Sequence, residues 1–113
     1  MKRHRLVFRA VDHANFDQVK TGQKSIETRA ATTRYAKIEA GDELEFVCGP
    51  DKIVKTILAV QHYDTVESIF QSADWSRVMP GVENLDDAKH IYYSYPGYEE
   101  KIDRHGLIAM YLQ

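Results

Sequence analysis

Cysteine is almost absent from this chain of 113 residues, where Cys48 stands alone. A single thiol excludes an internal disulfide and any multi-cysteine metal site. Its place in the run ELEFVC suits a small buried hydrophobe. Proline is scarce, with three in all, and no Pro-, Gly- or Ser-rich linker, repeat or low-complexity tract interrupts the sequence. One domain over residues 1–113 is therefore expected. No apolar run approaches the roughly 18 residues of a membrane span. The start MKRHRLVFRA lacks a signal-peptide core, so cytoplasmic residence without membrane contact is expected.

Catalytic signatures are missing as well. There is no phosphate-loop pattern, no Gly-rich dinucleotide fingerprint and no H-E-x-x-H. His4, His13, His62, His90 and His105 are scattered without ligand spacing, which points to solvated or locally bonded rings. No metal or cofactor is expected. No serine stands in a nucleophile elbow, and Cys48 has no evident activating partner, which argues against triad chemistry.

What is present is an ordinary globular composition, 43% hydrophobic and 28% charged, with a net charge of −2. That charge is segregated. Residues 1–37 hold nine Lys/Arg against three Asp/Glu, and residues 38–113 hold six against fourteen. Either the basic segment faces a polyanion, or the two parts pair across the fold.

Periodicity and punctuation divide the chain into about five strands and three short helices. RLVFRA (5–10) reads as a first strand. A helix from Asp12 to Thr21 buries Phe16 and Val19, with Gly22 past its end. KSIETR follows as a strand with only Ile26 to bury, expected to pack one face weakly and show the other to something polar. ATTRYAKI (31–38) reads as a loop with one helical turn. Gly41-Asp42 turns into ELEFVC, and Gly49-Pro50-Asp51 closes a hairpin onto KIVKTILAVQHYD (52–64). Asp64 and Glu67 stand at capping-box spacing before VESIFQSA. SRVMPGVEN reads as irregular. Asn84 caps a helix with Leu85, Ala88, Ile91, Tyr92 and Tyr95 on its apolar side, which Pro96-Gly97 ends. GLIAMYLQ is the last strand. The fold class is α+β, and its meander suits a small barrel or curled sheet better than a doubly wound fold.

The stretch TGQKSIETR carries the candidate chemistry. Strand alternation puts Lys24, Ile26 and Thr28 on one face and Ser25, Glu27 and Arg29 on the other. Glu27 can then orient the Arg29 guanidinium toward a phosphate or a base edge, and a twist after Gly22 can bring Lys24 to the same cleft. The competing reading is a solvated surface pair beside an exposed lysine. Tyr92, Tyr93, Tyr95 and Tyr98 cluster around Pro96-Gly97. Helical spacing assigns Tyr92 and Tyr95 to core or rim, while a ring at a pocket edge can stack on a base. Tyr63 raises the same choice, and Arg34 is a further candidate phosphate contact.

VKTGQKSIETR followed by KIEAGDELEF resembles the ASCH domain family, whose hallmark G-x-K-x-x-E-x-R lies upstream of a G-D turn. Gly22, Lys24, Glu27, Arg29 and Gly41-Asp42 meet it, and VQHYDTVESIF, the MPG break, YSYPGY and GLIAMYL continue the likeness along nearly the whole chain. The resemblance implies a PUA-like, mainly antiparallel β-barrel with helices at its ends. It also implies an RNA, nucleotide or nucleoside ligand in a cleft lined by Lys24, Glu27 and Arg29, with Arg34, Tyr63 and Tyr95 as further candidate contacts. One bacterial branch of the superfamily hydrolyses the acetyl group of N4-acetylcytidine, with catalysis by the lysine matching Lys24 and a threonine three positions later. Here Glu27 occupies the threonine's position, and Thr28 falls on the opposite strand face. A small hydrolase with Lys24 as base and Glu27 as proton shuttle is therefore the alternative.

Overall fold

The computed structural model describes all 113 residues. Five strands form one sheet: β1 (Arg3–Val7), β2 (Ile26–Ala30), β3 (Glu43–Cys48), β4 (Asp51–Tyr63) and β5 (Leu107–Leu112). Their spatial order is β1-β3-β4-β5-β2. All pairings are antiparallel except β1 with β3, which is parallel. The 13-residue β4 pairs with β3 along its first half and β5 along its second, with a register shift between Ile57 and Ala59. Such a bulge bends a strand and increases its twist. The sheet therefore curls into a half-barrel, and β1 and β2, its two edges, stay unpaired with each other.

Two cores lie on either side of the curl. Leu6, Leu44, Phe46, Ile57, Ile108 and Met110 fill the first, with Phe16 and Val19 from helix α1 (His13–Thr21). Ile26, Ala30, Leu107 and Ala109 join the second. Helices α3 (Val66–Ser72), α4 (Trp75–Val78), α5 (Leu85–Ser94) and α6 (Tyr98–His105) cover it with Ile69, Trp75, Tyr92 and Ile102. Alternate residues of β5 thus enter different cores, which explains its unbroken apolar run. Helix α2 (Thr33–Ala36) is the single turn read in ATTRYAKI.

Several expectations need correction. The first strand starts at Arg3 and ends at Val7, and Ala10–Asp12 forms a 3-10 turn. Asp12 makes no cap bond, because its carboxylate accepts instead from Arg9 Nε at 2.8 Å. Thr65, not Asp64, caps α3, exchanging bonds with Ser68. The stretch read as irregular holds α4, and α6 follows Pro96-Gly97 directly, so the helices number six. Strand β2 is buried on both faces rather than weakly on one, with Glu27 4% and Thr28 6% exposed.

The Gly41-Asp42 turn fastens the parallel edge strand. Asp42 accepts from the backbone N–H of Lys2 at 3.0 Å and of Glu39 at 3.1 Å, and His4 Nε2 lies 2.9 Å from its Oδ2. The His4 contact and these backbone bonds outweigh burial and hold the Asp42 carboxyl down to about 2. A parallel strand cannot be secured by a tight hairpin. The side chain of Asp42 ties β1 to β3 instead.

Candidate functional site

The open seam between the two edge strands holds a cavity of about 450 Å³. Phe8 and Arg9 reach it from the end of β1, Asn15 and Gln18 from α1, and Lys24, Glu27, Thr28 and Arg29 from β2 and its approach. Met79 and Pro80 after α4, and Tyr92, Tyr95 and Tyr98 around the α5–α6 turn, complete the wall.

Gly22 places Lys24. It adopts φ +87° at the end of α1, with its N–H on Val19 O at 3.2 Å, and Lys24 N–H then bonds Gln18 O at 3.0 Å. The chain turns back and sends the lysine inward, where Nζ donates to Val78 O at 2.7 Å. That bond uses one of three ammonium protons and leaves two for a ligand. Burial pushes the Lys24 ammonium below the ordinary lysine range; Glu27 resists and Arg29 adds to the depression.

Glu27 and Arg29 are same-face neighbours, as alternation requires, with Oε1 and Nε 3.3 Å apart. Their hydrogen bonding is incomplete, because the Nε–Oε1 contact is not aligned as a hydrogen bond and Glu27 Oε2 is buried with no hydrogen-bond partner. The Arg29 guanidinium lies 5.8 Å from the centre of the Phe8 ring and 5.9 Å from that of Tyr35. Burial works against its charge, but the Glu27 carboxylate, with the phenol oxygens of Tyr98, Tyr35 and Tyr95, outweighs this and holds its pKa up. The guanidinium is a fixed, half-buried cation, held by two rings and a carboxylate.

Thr28 is set on the opposite face, yet it also lines the cavity, because the cavity wraps around the free edge of β2. Its hydroxyl lies 2.7 Å from that of Tyr92, whose phenol is pushed well up by burial. Tyr95 lines the wall, half-buried, with its phenol raised by burial. It meets Tyr98 edge-on at 5.4 Å.

Two candidates lie outside the cavity. Arg34 is exposed, donates from Nη2 to Arg5 O at 2.7 Å and lies 5.0 Å over Tyr35. Tyr63 packs against the second core, where burial and a bond to Tyr111 raise its phenol to about 12. Sequence reasoning passed over Thr28, Asn15, Gln18 and the Met79-Pro80 wall as site residues and named Tyr98 only within the tyrosine cluster. Only the tyrosine cluster signalled any of these, since the rest meet through tertiary folding. The charge segregation is neutralised in part across the sheet, where Arg3 pairs with Glu43 and Arg5 with Glu45. No cluster of His, Cys, Asp and Glu is arranged to hold a metal ion. No helix is long and apolar enough to cross a membrane.

Fold and site together define a small α+β half-barrel with a charged, tyrosine-walled cavity at its open seam. No family model matches the chain, and no curated protein does. Solved structures match over the full domain. The crystal structure of hypothetical protein PH0355 superposes with a TM-score of 0.85 at 20% identity, covering 100% of this chain and 98% of that one. The solution NMR structure of protein PF0455 from Pyrococcus furiosus gives 0.78 at 20% identity, with 98% and 96% covered. Likeness at this identity is a likeness of fold.

Proposed function

We propose that this protein is a nucleotide- or RNA-binding domain of the ASCH type whose seam cavity receives one nucleoside unit. The observation that carries the reading is the Glu27–Arg29 pair, whose Glu27 Oε2 and Arg29 Nε lack a satisfied hydrogen bond beside a tyrosine-walled cavity. The cavity's size lies within the roughly 300–1,000 Å³ of small-ligand sites. Arg29 and Lys24 supply fixed positive charge for a phosphate, Glu27 accepts from a base amino group, and Tyr95 or Tyr98 offers a ring face. Cytoplasmic residence suits such a ligand. Titrating the four common ribonucleoside monophosphates and a short single-stranded RNA at low salt tests the reading. A ligand-dependent rise in melting temperature that Arg29→Ala abolishes is expected. No binding of any of them would overturn it.

One observation favours a hydrolytic reading of the same cavity. Burial holds the Lys24 ammonium below its ordinary pKa beside Glu27, in the direction a general base requires. Turnover of N4-acetylcytidine that Lys24→Ala abolishes would support hydrolysis. Absent turnover, or turnover untouched by the substitution, leaves binding alone.

A further inference from the structure

The free edge of β2 carries an unmet demand for hydrogen bonds. Leu112 N–H donates to Ser25 O at 2.8 Å and Ala31 N–H to Gly106 O at 2.9 Å. In an antiparallel pair, the residues that exchange bonds alternate with those whose backbone groups point away. Ser25, Glu27, Arg29 and Ala31 therefore turn their N–H and C=O groups to β5, while Ile26, Thr28 and Ala30 turn theirs outward. Ala30 confirms this phase, since its N–H contacts Tyr98 Oη at 3.4 Å and its C=O accepts from Thr32 N–H at 2.8 Å. Thr28 has no such neighbour. By the same phase its N–H and C=O point away from β5, where no hydrogen bond meets them, and the residue, 6% exposed, lines the cavity.

The Thr28 N–H and C=O by their phase, and the side-chain atoms Glu27 Oε2 and Arg29 Nε, thus lack hydrogen bonds on three successive residues, although Arg29 Nε keeps an ion-pair contact of 3.3 Å with Glu27 Oε1. Buried groups of this kind are rare, and each left unmet costs on the order of 1–3 kcal/mol. A ligand that meets them must donate twice, to Thr28 C=O and Glu27 Oε2, and accept twice, from Thr28 N–H and the Arg29 side chain. We infer that the cavity selects a planar heterocycle with an exocyclic amino group beside an unprotonated ring nitrogen, an amidine-like edge read by the Thr28 backbone and Glu27. The two amino hydrogens serve Thr28 C=O and Glu27 Oε2, the ring nitrogen accepts from Thr28 N–H, and a more distant oxygen or phosphate accepts from Arg29. The lactam edge, a carbonyl beside a ring N–H, can pair with the Thr28 N–H and C=O in the reverse sense, but it has one hydrogen to give, so Glu27 Oε2 is left unmet. Cytosine and adenine share the first edge, and uracil and hypoxanthine carry the second.

This inference rests on the nucleotide reading and deepens it. Calorimetric titration of the full chain with cytidine, uridine, adenosine and inosine 5′-monophosphates tests it, because each amino compound has a nearly isosteric oxo counterpart. In at least one pair the amino ligand is expected to bind roughly tenfold or more tightly, the consequence of one unpaired buried group. The two pairs show whether the cytosine or the adenine ring is the better fit. At saturation, the Thr28 resonance should be among the most shifted in amide proton–nitrogen spectra. Glu27→Gln, which offers a donor where the carboxylate has none, should narrow the preference. Equal binding within both pairs, or a Thr28 amide that does not move, would overturn this inference and leave the nucleotide reading standing. Failure of all four nucleotides and of short RNA to bind would overturn both.

Discussion

Lys24 shows most sharply what a single residue contributes at this seam. Its ammonium is partly withdrawn from water, with one backbone acceptor, and burial lowers its pKa. In the unfolded chain the same group titrates near the ordinary value of about 10.4. Between the two values the folded state binds fewer protons than the unfolded state, so stability rises with pH through that interval. Lys24→Met keeps length and removes charge. It is expected to stabilise the fold at about pH 7 by on the order of 1 kcal/mol, even though Val78 O loses its donor. The gain should shrink as pH rises toward the unfolded lysine value, and urea midpoints at about pH 7 and about pH 9.5 read it. A variant less stable than wild type at both would show that the Val78 bond outweighs the desolvation. The lysine's presence in TGQKSIETR was legible. Its burial was not, because that depends on Val78, fifty-four residues away.

Among the elements, the last strand and its entry are the least tolerant of change. Gly106 has φ +72° and ψ −160°, a region open in practice only to glycine, and a Cβ there would stand 2.5 Å from Tyr63 O. Gly106→Ala is expected to cost roughly 2–4 kcal/mol in chemical denaturation, since neither backbone can yield cheaply. Asp42→Asn addresses the other edge. The Asp42 carboxyl is lowered to about 2 chiefly by His4, so its contribution is complete above the unfolded carboxylate value and is lost as pH falls toward 2. The substitution should cost about 1–2 kcal/mol near neutral pH and little near pH 2. Denaturation midpoints followed across that range check it. Strand β5 was legible from its apolar run and Gly106. Helix α6 was not, because YEEKIDRH buries only Ile102 and carries almost no apolar pattern. The cap of α3 was misplaced by one residue, since Asp64 and Thr65 are both good caps and only the entry geometry of the chain distinguishes them.

For the whole molecule, net charge and charge pairing bound the mode of binding. With a net charge of −2 and the Arg3, Arg5 and Arg9 side chains paired to carboxylates, there is no broad phosphate track. Binding of a short RNA should therefore weaken only mildly with salt, with a log–log slope of roughly −1 to −2, in line with one to three phosphate contacts. A much steeper slope would point to an extended basic surface instead. By itself, the sequence determined the α+β class, most strand positions, and the local geometry that makes Glu27 and Arg29 neighbours. Each of these depends on residues a few positions apart, where periodicity and turn chemistry act directly. Only the tertiary structure decided which charges are buried, that Arg34 and Tyr63 lie outside the cavity, and that Thr28 lines it with backbone groups no hydrogen bond meets. Those outcomes follow from the curl of one sheet, which leaves β1 and β2 as facing edges and encloses between them polar groups that no local pattern marks.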